Sequence, residues 1–296
     1  MSRADPSFTS LFALPDEITK NIITAIQVKL TRGKSTRILD KGTNNLDAYL
    51  KFLQGYEHFL RFSPDDYVLA RRYLNEAIAL DPEYAAPYAF MGHIHMAEVR
   101  EGRSKSPQKS IEQAFKLAQK VLALDESHPL GHGLLGTIHL INGQFDKAIA
   151  ACERAVVLNP NGIGSLHWLG IALSGAGRPH EAIPHFKRAI LLSPLDPSLN
   201  LLGLGTTYAW MERYEEAITV LKKALHYQPD FLAVHRCLAA CYAALGREEE
   251  ARAEAAEVLR LNPKFSLKKH ANATVWSDKA VKERYIDALR KSGLPD

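Results

Sequence analysis

Histidine is the residue type in this chain with the most potential for chemistry. The chain has twelve histidines, and His128, His132 and His139 lie in one stretch while His93 and His95 lie in another. Two histidines four residues apart on one helix face can both bind zinc, so the first stretch is a candidate zinc site. No cysteine lies nearby to complete a closed set of four ligands.

A second interpretation assigns these histidines to packing. His58, His95 and His139 each follow a small residue by three positions, and Tyr208 and Tyr242 occupy the same position in later segments. A histidine that alternates with tyrosine fills space between helices and shares only a polar tip with it. We therefore expect no bound metal and no cofactor.

Other catalytic patterns are absent from the sequence. It contains no glycine-rich phosphate loop, no G-x-S-x-G and no H-E-x-x-H. The acidic runs at 65–66 and 248–250 fall in the first turns of predicted helices, where carboxylates interact favourably with the helix dipole. Cys152, Cys237 and Cys241 form no C-x-x-C pair, and we expect buried, reduced thiols. We expect no enzymatic activity within these residues.

Composition excludes further classes of function. Of the 296 residues, 46% are hydrophobic and 24% are charged, which is typical of a soluble protein. The net charge of +4 is too small to indicate nucleic-acid binding. No run of eighteen apolar residues occurs, and the first residues do not resemble a signal peptide. We expect no membrane span and a cytoplasmic location.

The elements that position these residues repeat along the chain. A small residue recurs at intervals of 34, 35 and 34 residues, at Gly136, Gly170, Gly205 and Ala239. An alanine follows each of them after twelve residues, at Ala148, Ala182, Ala217 and Ala251. A proline ends each unit, at Pro160, Pro194, Pro229 and Pro263. This period predicts stacked helix pairs, because one pair has too little apolar surface to bury alone.

Small residues in this pattern set the distance between helices. Gly170 and Ala182 are predicted to face each other across one hairpin, with Phe186 filling the space around them. A glycine five residues before the second alanine marks each turn, except in the fifth unit, where Glu212 stands there. Glu212 predicts either a different turn or a strained residue. Two early units are longer, with fifteen residues from Gly55 to Ala70 and twenty-two from Gly92 to Ala114.

These positions resemble the tetratricopeptide repeat. The resemblance rests on Leu169-Gly170, on Leu204-Gly205 with Tyr208, on Ala182 with Phe186, and on the recurring prolines. It implies an all-α solenoid, a right-handed superhelix of about six helix hairpins with an extra helix at each end. We expect an N-terminal amphipathic helix and linker over 1–45, the solenoid over 46–265, and a linker with a capping helix over 266–296. That capping helix is expected from Asp278 to Ser292, and the linker over 266–276 is expected to place Trp276 on the last repeat.

The flanks resemble a narrower group. LFALPDEITKNIITAIQVKL and IDALRKSGLPD look like the C-terminal region of bacterial proteins that join a TolB-like domain to tetratricopeptide repeats. Some of those carry an adenylate or guanylate cyclase domain, and others a DNA-binding domain. The resemblance implies a non-catalytic protein interaction scaffold, the regulatory half of a signalling protein. Two alternatives stay open: the C-terminal portion of a class III cyclase whose catalytic domain lies upstream, and a self-associating assembly module.

The resemblance also implies where a partner binds, since the first helix of each pair lines the concave side of such solenoids. The expected groove residues are Phe52, Tyr56, His93, Thr137, His167, Ile171, Leu202, Thr206, Arg236 and Ala240. Arg236 is the only Lys or Arg among them, so we expect an apolar helix or segment of a protein, rather than an acidic tail, to bind there. The chain's own N-terminal helix is an alternative occupant. The partner's identity and the oligomeric state stay open.

Overall fold

The computed structural model describes residues 42–273 and 276–296. The predicted N-terminal helix lies outside the described residues. Within the described part the chain forms fourteen α-helices and no strand, as the repeat pattern predicts. None of the described helices combines the length and apolar character needed to cross a membrane.

Twelve of the helices form six consecutive hairpins. The hairpins are α1 (Leu46–Phe59) with α2 (Pro64–Leu80), α3 (Ala85–Arg100) with α4 (Pro107–Leu124), α5 (Pro129–Ile141) with α6 (Phe145–Leu158), α7 (Ile163–Gly175) with α8 (Pro179–Leu192), α9 (Ser198–Trp210) with α10 (Tyr214–Tyr227), and α11 (Leu232–Ala244) with α12 (Glu248–Leu261). Two more helices follow, α13 (Leu267–Ala273) and α14 (Lys279–Lys291).

Local sequence explains where these helices begin and end. The second helices of the last four hairpins each end two residues before a recurring proline, which disfavours helix in the residue preceding it. The predicted capping helix is confirmed as α14. Its N-cap Asp278 accepts hydrogen bonds from two backbone amides, and Gly293 follows its C-cap Ser292 with a φ of 95°.

The small residues hold the two helices of a hairpin close together. A Cβ at Gly170 would lie 2.7 Å from the ring of Phe186, and one at Gly205 would lie 2.6 Å from Leu221. Both partners are fully buried. One hydrophobic core runs through the last four hairpins, and a second runs through the first two. The predicted role of the glycines as spacers is confirmed.

The turns of the regular hairpins use the left-handed backbone region. Gly143, Gly177 and Gly246 have φ values of 69°, 78° and 72°. Glu212 takes the same conformation with a φ of 62°, so the fifth hairpin keeps the turn and accepts a strained residue. The three cysteines are buried and unpaired, as predicted.

The ten extra residues of the second hairpin are shared among its parts. Helix α3 has sixteen residues and α4 has eighteen, against thirteen and fourteen in α7 and α8. The connection over 101–106 has three residues more than the connection over 176–178. The extra residues therefore lengthen both helices, with α3 almost one turn longer than the inner helices of the last four hairpins.

The longer turn of the first hairpin reaches across the solenoid. Phe62, with a φ of 53°, stacks on Phe231 at the start of the sixth hairpin with ring centroids 5.1 Å apart. The Nε2 atom of Gln228 donates a hydrogen bond to the carbonyl of Arg61 at 3.0 Å. The concave side is therefore bridged from the first hairpin to the last two.

One prediction about the C-terminal segment was wrong. Residues 266–276 were expected to be a linker that places Trp276 on the last repeat, but seven of them form α13. Trp276 packs instead against Trp210 in the fifth hairpin, with ring centroids 4.3 Å apart. The reason is a backbone hydrogen bond of 3.1 Å from Ser277 to the carbonyl of Gly175, which draws the segment across the inner side.

Candidate functional site in the concave surface

Two adjoining cavities occupy the concave side. The first has a volume of about 190 Å³ and is lined by the first five hairpins, and the second has about 150 Å³ and extends toward the C-terminal segment. Arg100, His167 and Ile171 belong to the walls of both. The two cavities therefore form one connected space.

Eight of the ten residues expected in the groove line these cavities. Tyr56, His93 and Thr137 line the first cavity, His167 and Ile171 line both, and Leu202, Thr206 and Arg236 line the second.

The other two expected groove residues lie elsewhere in the fold. Phe52 is fully buried between helices, where its ring packs against Tyr84 and Phe90. Ala240 is 3% exposed and belongs to the core formed with Ala288 of α14, because the C-terminal helix packs on the last hairpin. Neither side chain is accessible to a partner in this arrangement.

His93 stacks on Trp168 in the wall of the first cavity. The ring centroids are 4.4 Å apart and the planes differ by 11°. Gly133 makes room for the indole, since a Cβ there would lie 2.0 Å from it. Burial, together with the positive charge of Arg100, lowers the pKa of His93 to about 3. His93 is therefore neutral at physiological pH.

His167 is the second buried histidine of the wall. Its Nδ1 lies 3.1 Å from Oδ1 of Asn200, so the neutral ring donates a hydrogen bond there. Burial is the main cause that lowers the pKa of His167 to about 4; Arg100 adds to this effect and the bond to Asn200 opposes it. Burial also holds the pKa of His270, in the wall of the second cavity, well below its ordinary value. None of these three histidines supplies a positive charge, so the positive charge of the cavities comes from arginine.

Arg100 is a cavity residue that the sequence analysis missed. It ends α3 and is exposed to solvent within the connected cavities. No ion pair joins it to a carboxylate among the described residues. The signal that could have found it is the longer α3, which carries this arginine beyond the end of a regular inner helix.

Arg236 is the second cation of the cavities. Its Nε is buried without a hydrogen-bond partner in the described part of the chain, and the same holds for Nε1 of Trp210 and of Trp276. Burial raises the pKa of Tyr285, and nearby Arg236 opposes that rise. The second cavity thus has a wall rich in N–H groups.

One acidic residue belongs to the wall of each cavity. Glu101, in the second cavity, forms an ion pair with Arg103. Asp196, in the first cavity, accepts a hydrogen bond of 2.6 Å from the hydroxyl of Ser198 and balances the charge of Arg100 there. The second cavity therefore has an excess of positive charge among the described residues.

The histidines considered for zinc have partners of their own. His128 accepts a hydrogen bond from the amide of Leu130 at 3.3 Å, and His139 lies 2.7 Å from Oε1 of Gln144. Nε2 of His132 lies 3.0 Å from the carbonyl oxygen of Glu126. Over 42–273 and 276–296 no three His, Cys, Asp or Glu side chains are grouped to hold a metal ion.

Comparison with known families agrees with the repeat geometry. The tetratricopeptide repeat family matches residues 100–163 and 211–269. The chain is a tetratricopeptide repeat protein. The family of anaphase-promoting complex (cyclosome) subunit 3 also matches, over residues 141–224. This tetratricopeptide repeat protein is accordingly a scaffold for protein–protein interaction.

Curated relatives share only part of their length with this tetratricopeptide repeat protein. "Putative adenylate cyclase 3" of Rhizobium meliloti (strain 1021) is 31% identical over 130 residues, which are 44% of this chain and 22% of that protein. "Transcriptional regulator HilA" of Salmonella typhimurium is 24% identical over 165 residues, 56% of this chain and 30% of that protein. The chain thus spans less than a third of either relative.

Solved structures of similar shape support the fold. The anaphase-promoting complex hetero-tetramer Cut9–Hcn1 aligns with a TM-score of 0.56 and 20% identity, over 89% of this chain and 46% of that chain. PilW, a type IV pilus biogenesis factor, aligns with a TM-score of 0.51 and 17% identity, over 70% and 89%. At these identities the similarity shows the solenoid architecture alone.

Proposed function

We propose that this chain is the non-catalytic, cytoplasmic interaction part of a bacterial signalling protein, and that its cavity wall binds an apolar segment of a partner protein. The observation that carries this proposal is the composition of the wall. Ile171 and Leu202 lie on inner helices of adjacent hairpins and line the second cavity. An apolar segment gains about 25 cal/mol for each Å² that it buries there.

The relatives support the signalling part of this proposal. One is named a putative adenylate cyclase and another a transcriptional regulator, and each is similar to part of this chain. Repeats found in proteins with different output activities are suited to a task other than the output, such as recognition of a partner.

Photo-crosslinking tests the binding surface directly. p-Benzoylphenylalanine is placed at Ile171 on the inner wall or, as a matched control, at Leu191, which is 81% exposed on α8. We expect position 171, and not position 191, to crosslink to one partner protein, whose peptides mass spectrometry identifies. Ile171→Asp should prevent capture of that partner while Leu191→Asp leaves it intact. Equal crosslinking from both positions would refute the cavity wall as the binding surface.

The same experiment distinguishes other occupants. Crosslinks from position 171 to residues 1–41 would show that the N-terminal segment occupies the wall. Crosslinks to a second copy, with a doubled mass in solution, would support self-association. Partner affinity should depend weakly on salt, because apolar contact is not screened by ions.

A second candidate function is favoured by the Rhizobium meliloti relative, which is named a putative adenylate cyclase. In that case the chain is the C-terminal portion of a class III adenylate or guanylate cyclase. Sequencing the gene upstream of the codon for Met1 tests this candidate. A reading frame continuing into a cyclase domain would support it, whereas a frame closed by a stop codon would exclude it.

A further inference from the structure

Three side chains in the wall of the second cavity each have one buried N–H group without an acceptor among the described residues, although the guanidinium of Arg236 also hydrogen-bonds Tyr285. Nε of Arg236 and the indole nitrogens of Trp210 and Trp276 are buried and make no hydrogen bond within the described residues. All three side chains line this cavity. Unpaired buried donors lower stability, and native proteins seldom retain them unless water, an ion or a ligand supplies the acceptor.

Two permanent positive charges lie in the same space. Arg100 and Arg236 both line the second cavity, and the guanidinium group stays protonated in proteins. The neighbouring carboxylates do not neutralise them. Glu101 pairs with Arg103, and Glu98 pairs with Arg71 at 2.7 Å. An anion with acceptor oxygens therefore complements the positive charges and N–H groups of this wall.

An aromatic surface of tilted rings adjoins these cations. The ring centroids of Trp210 and Trp276 are 4.3 Å apart with planes at 47°, and the centroids of Trp276 and Tyr285 are 5.5 Å apart with planes at 37°. The surface is assembled from the fifth hairpin and the C-terminal segment, which the bond from Ser277 to Gly175 holds in place. Such a surface suits the body of a planar, apolar molecule.

The size of the second cavity suits a small molecule. It has a volume of about 150 Å³ and adjoins the first cavity of about 190 Å³. The Phe62–Phe231 stack bridges one side. The second cavity therefore has room for a small ligand.

We propose that the second cavity binds a small organic anion with a planar, aromatic or apolar body. Its anionic group lies between Arg100 and Arg236, and its body rests on the Trp210–Trp276 surface. This site goes beyond the proposed protein-binding function, because it requires neither a partner nor the signalling context.

A pair of matched dyes tests the proposal on the full chain. 1-Anilinonaphthalene-8-sulfonate is an aromatic anion, and N-phenyl-1-naphthylamine has the same aromatic body without the sulfonate. Calorimetry should show one sulfonate dye bound per chain, and excitation of tryptophan should transfer energy to it. Raising the salt concentration should weaken binding of the sulfonate dye and leave binding of the neutral dye unchanged.

Variants then identify the cations. Arg100→Gln should lower the affinity for the sulfonate dye at least about tenfold, which is the usual effect of losing one charge-assisted hydrogen bond. The affinity for the neutral dye should change little. The control Arg252→Gln alters an exposed arginine on α12 that pairs with Glu248, and it should bind both dyes as the parent does. Circular dichroism and thermal unfolding verify that each variant is folded.

Several results would overturn the site. Binding of the sulfonate dye at several weak sites per chain would show that it binds apolar surface in general. An equal salt dependence of binding for the two dyes would show the same. Both measurements use the parent chain and need no variant. Binding that appears only after deletion of residues 1–41 would show that the N-terminal segment occupies the cavity. Dye binding does not depend on whether position 171 crosslinks to a partner protein. The small-molecule site and the protein-binding surface can therefore be refuted independently.

Discussion

The last four hairpins and the first two are built from the same pair of packed helices, but only the last four keep one spacing. Each regular hairpin has twelve residues between its two small residues, against fifteen and twenty-two in the first and second hairpins. The extra residues leave the cores intact, since both halves have fully buried side chains between their helices. They alter the connections and the helix ends.

Those altered connections shape the concave surface. The regular hairpins place neutral side chains such as Thr137 and Ile171 on the cavity wall, together with one cation, Arg236. The irregular hairpins contribute Phe62, which bridges the solenoid, and Arg100, which brings a second charge into it. Regular repeats thus build the scaffold and supply one charge, while departures from the repeat add the bridge and the other charge.

The largest expected effect tests the regular half. Gly170→Leu should lower the free energy of unfolding by about 3 kcal/mol, because the new side chain overlaps the buried ring of Phe186. Gly143→Ala should cost only about 1 kcal/mol, since it strains a turn with φ of 69°. Denaturant midpoints measure both variants. Equal losses would show that Gly170 is not a spacer.

Histidines of the two regions should respond to pH in opposite directions. The pKa of His93 is about 3 in the fold and 6.5 as an ordinary value, so the unfolded chain binds an extra proton between these limits. Stability is therefore lost as pH falls below about 6.5, by about 2 kcal/mol at pH 5. His93→Phe keeps a ring on Trp168 and should remove this part of the acid sensitivity. Denaturant unfolding at pH 7 and 5 measures it.

His235 on the sixth hairpin provides the contrast. Burial lowers its pKa, but Glu254 at 2.6 Å and the carbonyl of Pro229 at 2.8 Å outweigh burial, and the net pKa is raised. A raised pKa contributes stability that is fully present below about 6.5 and is lost as pH rises through the folded value. His235→Asn should therefore be most destabilising in acid. The same pH slope for both variants would contradict the assigned environments.

The contact between Phe62 and Phe231, which bridges the first and last hairpins, should contribute less to the free energy of unfolding than the residues above. Phe62→Ala removes the ring stacked on Phe231 and should cost about 1–2 kcal/mol, because Phe62 is only half-buried. Small-angle scattering should show a larger radius of gyration as the solenoid opens. Phe115→Ala, at a ring that is 40% exposed on α4, serves as the control. An unchanged radius in Phe62→Ala would mean that the curvature is fixed by hairpin stacking alone.

The regular half could be predicted because its marks are local and repeated. Gly170 facing Phe186 and the turn at Glu212 follow from spacing together with the conformational freedom of glycine. The capping helix follows from Asp278 and Gly293. Each of these features depends on residues less than about one repeat apart, so the sequence contains the information.

The cavity could be predicted only in part. Eight expected residues reach its walls because the inner helices keep one orientation. Arg100 and Trp276 depend on how far α3 extends and where the C-terminal segment crosses, which are set by contacts between residues far apart in sequence. Phe62 meets Phe231 across 169 positions, and no local pattern announces such a contact. The insertions in the first two hairpins and the C-terminal segment that crosses the concave side therefore determine which residues line the cavities.

The smallest expected effect concerns the one regular hairpin with an irregular turn. Glu212 has a φ of 62° where the other regular turns have glycine, which costs about 1–2 kcal/mol. Its carboxylate also lies 3.2 Å from Arg284 of α14, an exposed pair worth about 0–1 kcal/mol. Glu212→Gly removes both terms, so stability should rise by less than about 1 kcal/mol.

Glu212→Gln separates the two terms of that turn, because it keeps the strain and removes only the charge. It should lower stability by a few tenths of a kcal/mol, by an amount that disappears in high salt. Gly246→Ala supplies the reverse test, since a Cβ there has no neighbour within 4 Å and adds only strain. If Glu212→Gly is less stable than the parent chain while Glu212→Gln is unchanged, the glutamate backbone is not strained. The shape of the turn in the fifth hairpin would then depend on contacts with the C-terminal helix. In that case a contact outside the repeats, and not the repeat pattern alone, would shape one of the regular hairpins.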